Sequence, residues 1–152
     1  MPKLDSQRAQ SLGYRIARLF RAAAKNGDRL FARHPVKHSQ IPLFMEVIHQ
    51  PGRSQMQLAQ VLHLDKAAVA RKLFALEKAD FISRRYDPQC RRDKLVYPTE
   101  QADKLLPQTL DLLETFNELL FQGFSPEERQ NALQVVDRLI VNLERALDEE
   151  ES

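Results

Sequence analysis

Two adjacent arginines, Arg91 and Arg92, stand at the tip of the segment Asp87-Pro88-Gln89-Cys90-Arg91-Arg92-Asp93, and further cations, Lys66, Arg71, Lys72 and Lys78, are spread over residues 65–78. Such groups suit phosphate oxygens, and a guanidinium can also pair with a guanine edge. Cys90, the only thiol of the chain, sits beside the arginine pair. Neighbouring positive charge favours a thiolate that oxidants attack; the plainer alternative is an exposed small residue. His34, His38, His49 and His63 fall on different segments, and Pro35 interrupts the helix that would align the first two, so no metal site is expected. A single cysteine also rules out an internal disulfide and a thiolate zinc cage. Four scattered glycines leave no Gly-rich phosphate loop. With no nucleophile–base pair and no paired carboxylates in a supporting context, an enzyme is not expected, nor a cofactor.

The elements that position these groups follow from pattern. The chain has 152 residues, 43% of them hydrophobic, enough for one domain with its own core. No stretch approaches the roughly 18 apolar residues of a membrane span, and the polar N-terminus reads as no export signal, which makes the cytoplasm the expected location. The formal charge of +2 conceals a gradient. Residues 1–41 hold nine basic and two acidic groups, residues 42–98 ten and six, and residues 99–152 four and thirteen. That asymmetry points to one part that meets a polyanion and one that avoids it, or to a solvated surface with no partner.

Apolar positions Leu12, Ile16, Leu19, Phe20, Ala23 and Ala24 predict a helix over 6–33, bent or frayed at Gly27 and closed by Pro35. Ser39 reads as the cap of a second helix carrying Leu43, Phe44, Val47 and Ile48, stopped by Pro51-Gly52. Ser54 and Gln57 form a capping-box pattern for a short third helix with Leu58, Val61 and Leu62 inward. Asp65 caps a fourth, with Val69, Leu73 and Leu76 on one side. Two short helices joined this tightly make a helix-turn-helix pattern, although plain bundles also contain such pairs. Phe81–Tyr86 and Lys94–Pro98 predict two strands that close a wing around the arginine-bearing loop. Two long helices follow, over 100–122 with Pro107 inside and from Ser125 onward with the stripe Leu133, Val136, Ile140, Leu143 and Leu147. The fold class is therefore mainly α with a small two-stranded β-wing.

The run Asp87 to Ala102, the stretch Leu76-Glu77-Lys78-Ala79-Asp80-Phe81-Ile82 and the stretch Gln57 to Lys66 together resemble the MarR family of bacterial winged helix-turn-helix regulators, over roughly Gln40 to Ala102. Three departures stand out. Cys90 occupies a position that is usually Asp, Asp80 a usual helix-ending Gly, and Ala68 and Ala70 usually hydroxylated positions.

The resemblance implies a single domain over 1–152, with dimerisation helices at 1–36 and 104–150 and a DNA-binding lobe at 40–100. It implies a homodimeric transcriptional regulator, a repressor at a pseudo-palindromic operator in double-stranded DNA. The fourth helix would enter the major groove with Lys66, Ala67, Ala70 and Arg71 facing DNA, Arg71 toward a base edge or a phosphate. Lys72 and one strand arginine, Arg85, would add phosphate contacts, as would Ser54 and Gln55 unless they serve only as a cap. Arg91 and Arg92 would lie along the minor groove, or one would brace the wing against Asp87 or Asp93. The family also implies release by a small phenolic or amphipathic ligand in a cleft walled by Phe20, Phe31, Phe44, Ile48, Leu110 and Phe116, unless these are core. Two other readings stay open: a winged helix that binds protein and no longer DNA, and a redox sensor acting through Cys90.

Overall fold

The computed structural model describes residues 2–90, 92 and 94–150, and for 2–5 only their place in the first helix. Its elements are α1 (Pro2–Gln10), α2 (Leu12–Leu30), a 3₁₀ turn (His38–Gln40), α3 (Ile41–His49), β1 (Arg53–Ser54), α4 (Gln55–Val61), α5 (Lys66–Lys78), β2 (Ile82–Tyr86), β3 (Lys94–Pro98), α6 (Glu100–Leu120) and α7 (Pro126–Glu150). Two compact units divide the chain, residues 1–116 and 117–152. No described helix is long and apolar enough to cross a membrane.

Within the first unit, the expected single helix over 6–33 is two helices. Ser11 leaves the helical conformation, and its Oγ accepts from the Tyr14 amide at 3.1 Å, so it caps α2. Arg8 and Arg18 lie over the Tyr14 ring at 4.9 and 5.8 Å, and Arg8 also donates to the phenol oxygen at 3.0 Å, which holds the phenol below its ordinary pKa. Gly27 does not fray α2. It is buried, because the His38 ring lies against it where a side chain would stand. The chain between α2 and α3 is held by His34, whose Nδ1 accepts from the Val36 amide at 3.1 Å and whose Nε2 lies 3.0 Å from Thr109 Oγ1 on α6. Ser39 falls inside the 3₁₀ turn, so Gln40 rather than Ser39 precedes α3, with Pro42 in its first turn.

The core gathers Phe31, Val36, Ile41, Leu43, Phe44 and Val47 with Leu58, Val69, Leu73, Leu76, Ile82, Val96 and Ala102. In α4 the inward residues are Leu58 and Ala59, whereas Val61 is 45% exposed, a turn further round than expected. The wing sheet has three strands in the order β1-β3-β2. Arg53 and Ser54 pair antiparallel with Val96 and Leu95, a strand too short to show in the sequence pattern. In the β2–β3 register Arg84 faces Val96 and Arg85 faces Leu95. Ile82, Arg84 and Tyr86 therefore share one face with the buried Val96, and Arg85 is on the other.

One ion pair ties this sheet to α5. Arg84 donates to Glu77 Oε2 from Nε at 3.0 Å and from Nη2 at 2.5 Å. Asp80, at φ 62°, follows α5 in the left-handed conformation, which a short polar side chain tolerates.

The second unit is built locally. Gly123 turns the chain at φ 85°, and Ser125 and Glu128 exchange a capping box at 3.1 and 2.8 Å. Phe121 and Phe124 meet edge to face at 5.7 Å, and Arg129 lies 4.9 Å over Phe121 while donating to Glu118 at 2.7 Å. None of the residues of α7 is buried.

A Cβ at residue 27 would stand 2.2 Å from His38 Cε1, and that ring is flanked by Phe31 and Phe116, each at 5.5 Å. Gly27→Ala gains about 1 kcal/mol of helix propensity but overpacks the site by about 1–3 kcal/mol. It is expected to destabilise the protein in urea titration. In a His38→Ala background the same change is expected to stabilise; a loss of equal size in both backgrounds would refute the contact.

The Glu77 carboxyl is held below the ordinary glutamate value, first by the hydrogen bond from Arg84 and then by its charge against the opposing effect of burial. A depressed carboxylate stabilises the fold above its unfolded pKa, about 4.3, and that contribution is lost as pH falls through the lower folded value. The stability difference between wild type and Glu77→Gln should be full at pH 7, within about 1 kcal/mol for so open a pair, and shrink below about pH 4. A difference that grows toward acid in the same titration contradicts the assignment.

Candidate nucleic-acid interface

The helix-turn-helix is fixed by two local devices. Ser54 Oγ accepts from the Gln57 amide at 3.2 Å while Gln57 Oε1 accepts from the Ser54 amide at 2.8 Å. Asp65 Oδ1 accepts from the Ala68 amide at 2.9 Å and opens α5. Between them His63 takes φ 47°, and Leu64 donates to the Ala59 carbonyl at 3.0 Å, which folds the connection back on α4. A cap of either kind stabilises by about 1 kcal/mol.

Burial then assigns the faces of α5. Val69, Leu73 and Leu76 point into the core. At 100° per residue, Ala67, Arg71, Phe74 and Lys78 lie opposite them, and all four are exposed. Lys66, half-buried Ala70 and Glu77 form the flank toward the wing. Lys72 is on the other flank, where its Nζ donates to the Ser39 carbonyl. That bond ties α5 to the 3₁₀ turn.

A cleft of about 330 Å³ lies between the starts of α4 and α5 and the wing, lined by Gln55, Met56, Lys66, Arg84, Arg92 and Lys94. Four of its six lining side chains are cationic, and among the described residues Glu77 is the carboxylate bonded to one of them, Arg84. Low-dielectric walls focus such a field on an incoming anion. Gln55 lines this cleft. Ser54 does not present its side chain there: it is buried at 8% exposure, and its hydroxyl is engaged in the cap.

On the wing the expected strand arginine changes. Arg85 is exposed on the face away from the cleft, 5.1 Å over the Tyr97 ring. Arg84 is the one that lines the cleft. Lys94, which the sequence reading passed over, joins it, 5.3 Å over the ring of Tyr86. The signal for both was strand alternation counted from Ile82, combined with knowing that this face meets α5. Asp87 Oδ1 accepts from the Gln89 amide at 2.8 Å, shaping the loop. Arg92 reaches the cleft, while Arg91 and Asp93 lie outside the described residues. Cys90 is exposed on the loop.

The six residues expected to wall an effector cleft fall in different settings. Phe31 and Phe44 are core, Ile48 is packed against it, and Phe20 and Leu110 are exposed at 73% and 48%. Phe31 and Phe116 both meet the His38 ring, which lies between them. Helical spacing gave the same apolar signal for core and surface positions alike. Among the described residues no three His, Cys, Asp or Glu side chains are grouped to hold a metal.

Comparison with known proteins places this arrangement. The model of the MarR family matches residues 37–94, which spans the 3₁₀ turn through the first residue of β3. Over 101 residues the chain is 30% identical to the uncharacterized HTH-type transcriptional regulator YybA of Bacillus subtilis (strain 168), covering 66% of this chain and 67% of that protein. The crystal structure of MarR matches with a TM-score of 0.84 at 27% identity, over 93% of this chain and 97% of that one. The fold is also that of the transcriptional repressor CouR bound to a 23-mer DNA duplex, with a TM-score of 0.78 at 21% identity, over 89% and 95% of the two chains. Capped recognition helix, three-stranded wing and these likenesses agree, and the chain belongs to the MarR family of winged helix-turn-helix transcriptional regulators.

Proposed function

We propose that the protein is a sequence-specific DNA-binding repressor of transcription that acts in the cytoplasm as a homodimer on a pseudo-palindromic operator. The observation that carries this reading is the placement of cations on one lobe. Arg71 and Lys78 project from the outward face of α5, and Lys66, Arg84, Arg92 and Lys94 surround the adjoining cleft. An α-helix fits the major groove, and the flanking cations meet phosphates on either side. Arg71 is the base-reading guanidinium, Ala67 and Ala70 allow close approach, and Arg92 with Arg91 follows the minor groove. Gln55 and Lys66 hold the phosphate backbone that lies over the cleft.

The dimer is supported by apolar surface that one chain leaves uncovered. On α7, Leu133, Val136, Ile140, Leu143 and Leu147 are 45–64% exposed, and on α2 Leu12, Ile16, Leu19 and Phe20 are likewise open. A continuous apolar stripe of this length is characteristic of an interface. Release from DNA by a small phenolic or amphipathic ligand is part of the proposal and rests on the family alone. The segments 1–36 and 104–150 are assigned to dimerisation and 40–100 to DNA.

Selection of duplexes from a random pool, followed by footprinting at stated salt, tests the reading. Two inverted half-sites about 10 base pairs apart, centre to centre, are expected. Arg71→Ala should weaken binding by about 1–3 kcal/mol and relax one position of each half-site. Recovery of a single asymmetric half-site would contradict the dimer, and recovery of no duplex would contradict DNA binding.

A further inference from the structure

Phe74 is an aromatic side chain that the fold does not use. It is 61% exposed, on the face of α5 opposite the buried Val69, Leu73 and Leu76. It shares that face with Ala67, Arg71 and Lys78, and Ala70 and Ala75 flank it. It is the one aromatic residue of α5. We infer that Phe74 reads DNA: its ring packs on thymine C5-methyl groups in the major groove and makes thymine at fixed places in each half-site a determinant of affinity. This rests on the DNA-binding function proposed above.

Three observations support this occupant. Side chains on a helix lean toward its N-terminus, so Phe74 covers the surface over Ala70 and Arg71, in the direction of the half that enters the groove. The small side chains of Ala67 and Ala70 leave room for that approach. The ring stands between two cations, Arg71 three residues before it and Lys78 four after. Such a setting delivers an aromatic group to a polyanion, not to an apolar protein surface. Finally, the outward face is poor in groups that can hydrogen-bond a base edge. Arg71 can pair with guanine, while Ala67, Ala70 and Phe74 offer only apolar contact, and the thymine methyl is the apolar feature of the major groove. Discrimination on this face therefore draws on methyl groups beside two cations, Arg71 and Lys78.

The test uses a duplex from the random-pool selection in which single thymines are replaced by deoxyuridine, which removes one methyl and keeps the base pair. Wild type is expected to bind about four-fold more weakly at each contacted thymine, the worth of one buried methyl-sized group. Phe74→Ala should bind the unmodified duplex more weakly and lose the sensitivity at those thymines. Phe74→Leu should retain part of it. Because residue 74 is exposed, thermal unfolding of both variants should match wild type. Wild-type methyl sensitivity surviving in Phe74→Ala at every position would overturn the inference. So would binding by wild type that ignores every thymine methyl, the result expected if Phe74 meets a protein instead. Failure of wild type to select any duplex would remove the DNA-binding reading itself, and this inference with it.

Discussion

Burial of Val69, Leu73 and Leu76 in one core with Ile82 and Val96 decides the orientation of α5, and most of the functional surface depends on that choice. A helix of thirteen residues with three buried side chains on one side has its opposite side set by geometry. Arg71, Phe74 and Lys78 project outward because Leu73 and Leu76 point in. The wing is attached to the same helix by the pair of Glu77 and Arg84, which sets β2 against α5. Leu73→Ala at such a site typically removes several kcal/mol, which shows how little freedom the helix has to present another face.

Net charge conceals what this lobe does. A balance of +2 over 152 residues describes a nearly neutral protein. The proposed binding surface depends on where the cations stand: four of them around one cleft and two more on the adjacent helix face. The excess of acid over residues 99–152 cancels them in the sum. Glu77 is the exception, placed to hold Arg84 in position and reduce its charge.

What was legible in the sequence is what is local. Ser54 with Gln57 and Asp65 with Ala68 are bonds over three residues, and the residue types that make them declare the helix starts. The buried trio of α5 and both longer strands follow from periodicity. The elements that escaped are set by distant partners. β1 is a strand only because Val96 and Leu95, some forty residues on, pair with Arg53 and Ser54. The choice between Arg84 and Arg85 needed the identity of the helix that covers Ile82. The bond of Lys72 to the Ser39 carbonyl likewise joins residues far apart in the chain. Phe31 and Phe44 could not be separated from cleft walls by spacing, since a core and a ligand site both ask for apolar residues on one helix face.

The central claim is that phosphates of a DNA duplex are held by the cations of the cleft. The salt dependence of binding tests it most directly. In fluorescence anisotropy with a selected duplex, log affinity should fall linearly with log salt, and Lys66→Gln with Lys94→Gln should make the slope shallower by about 1.8, near 0.9 for each lost phosphate contact. Preference among duplex sequences should be unchanged. A slope equal to that of wild type would show that these cations do not meet the backbone, and the account of the cleft would be wrong.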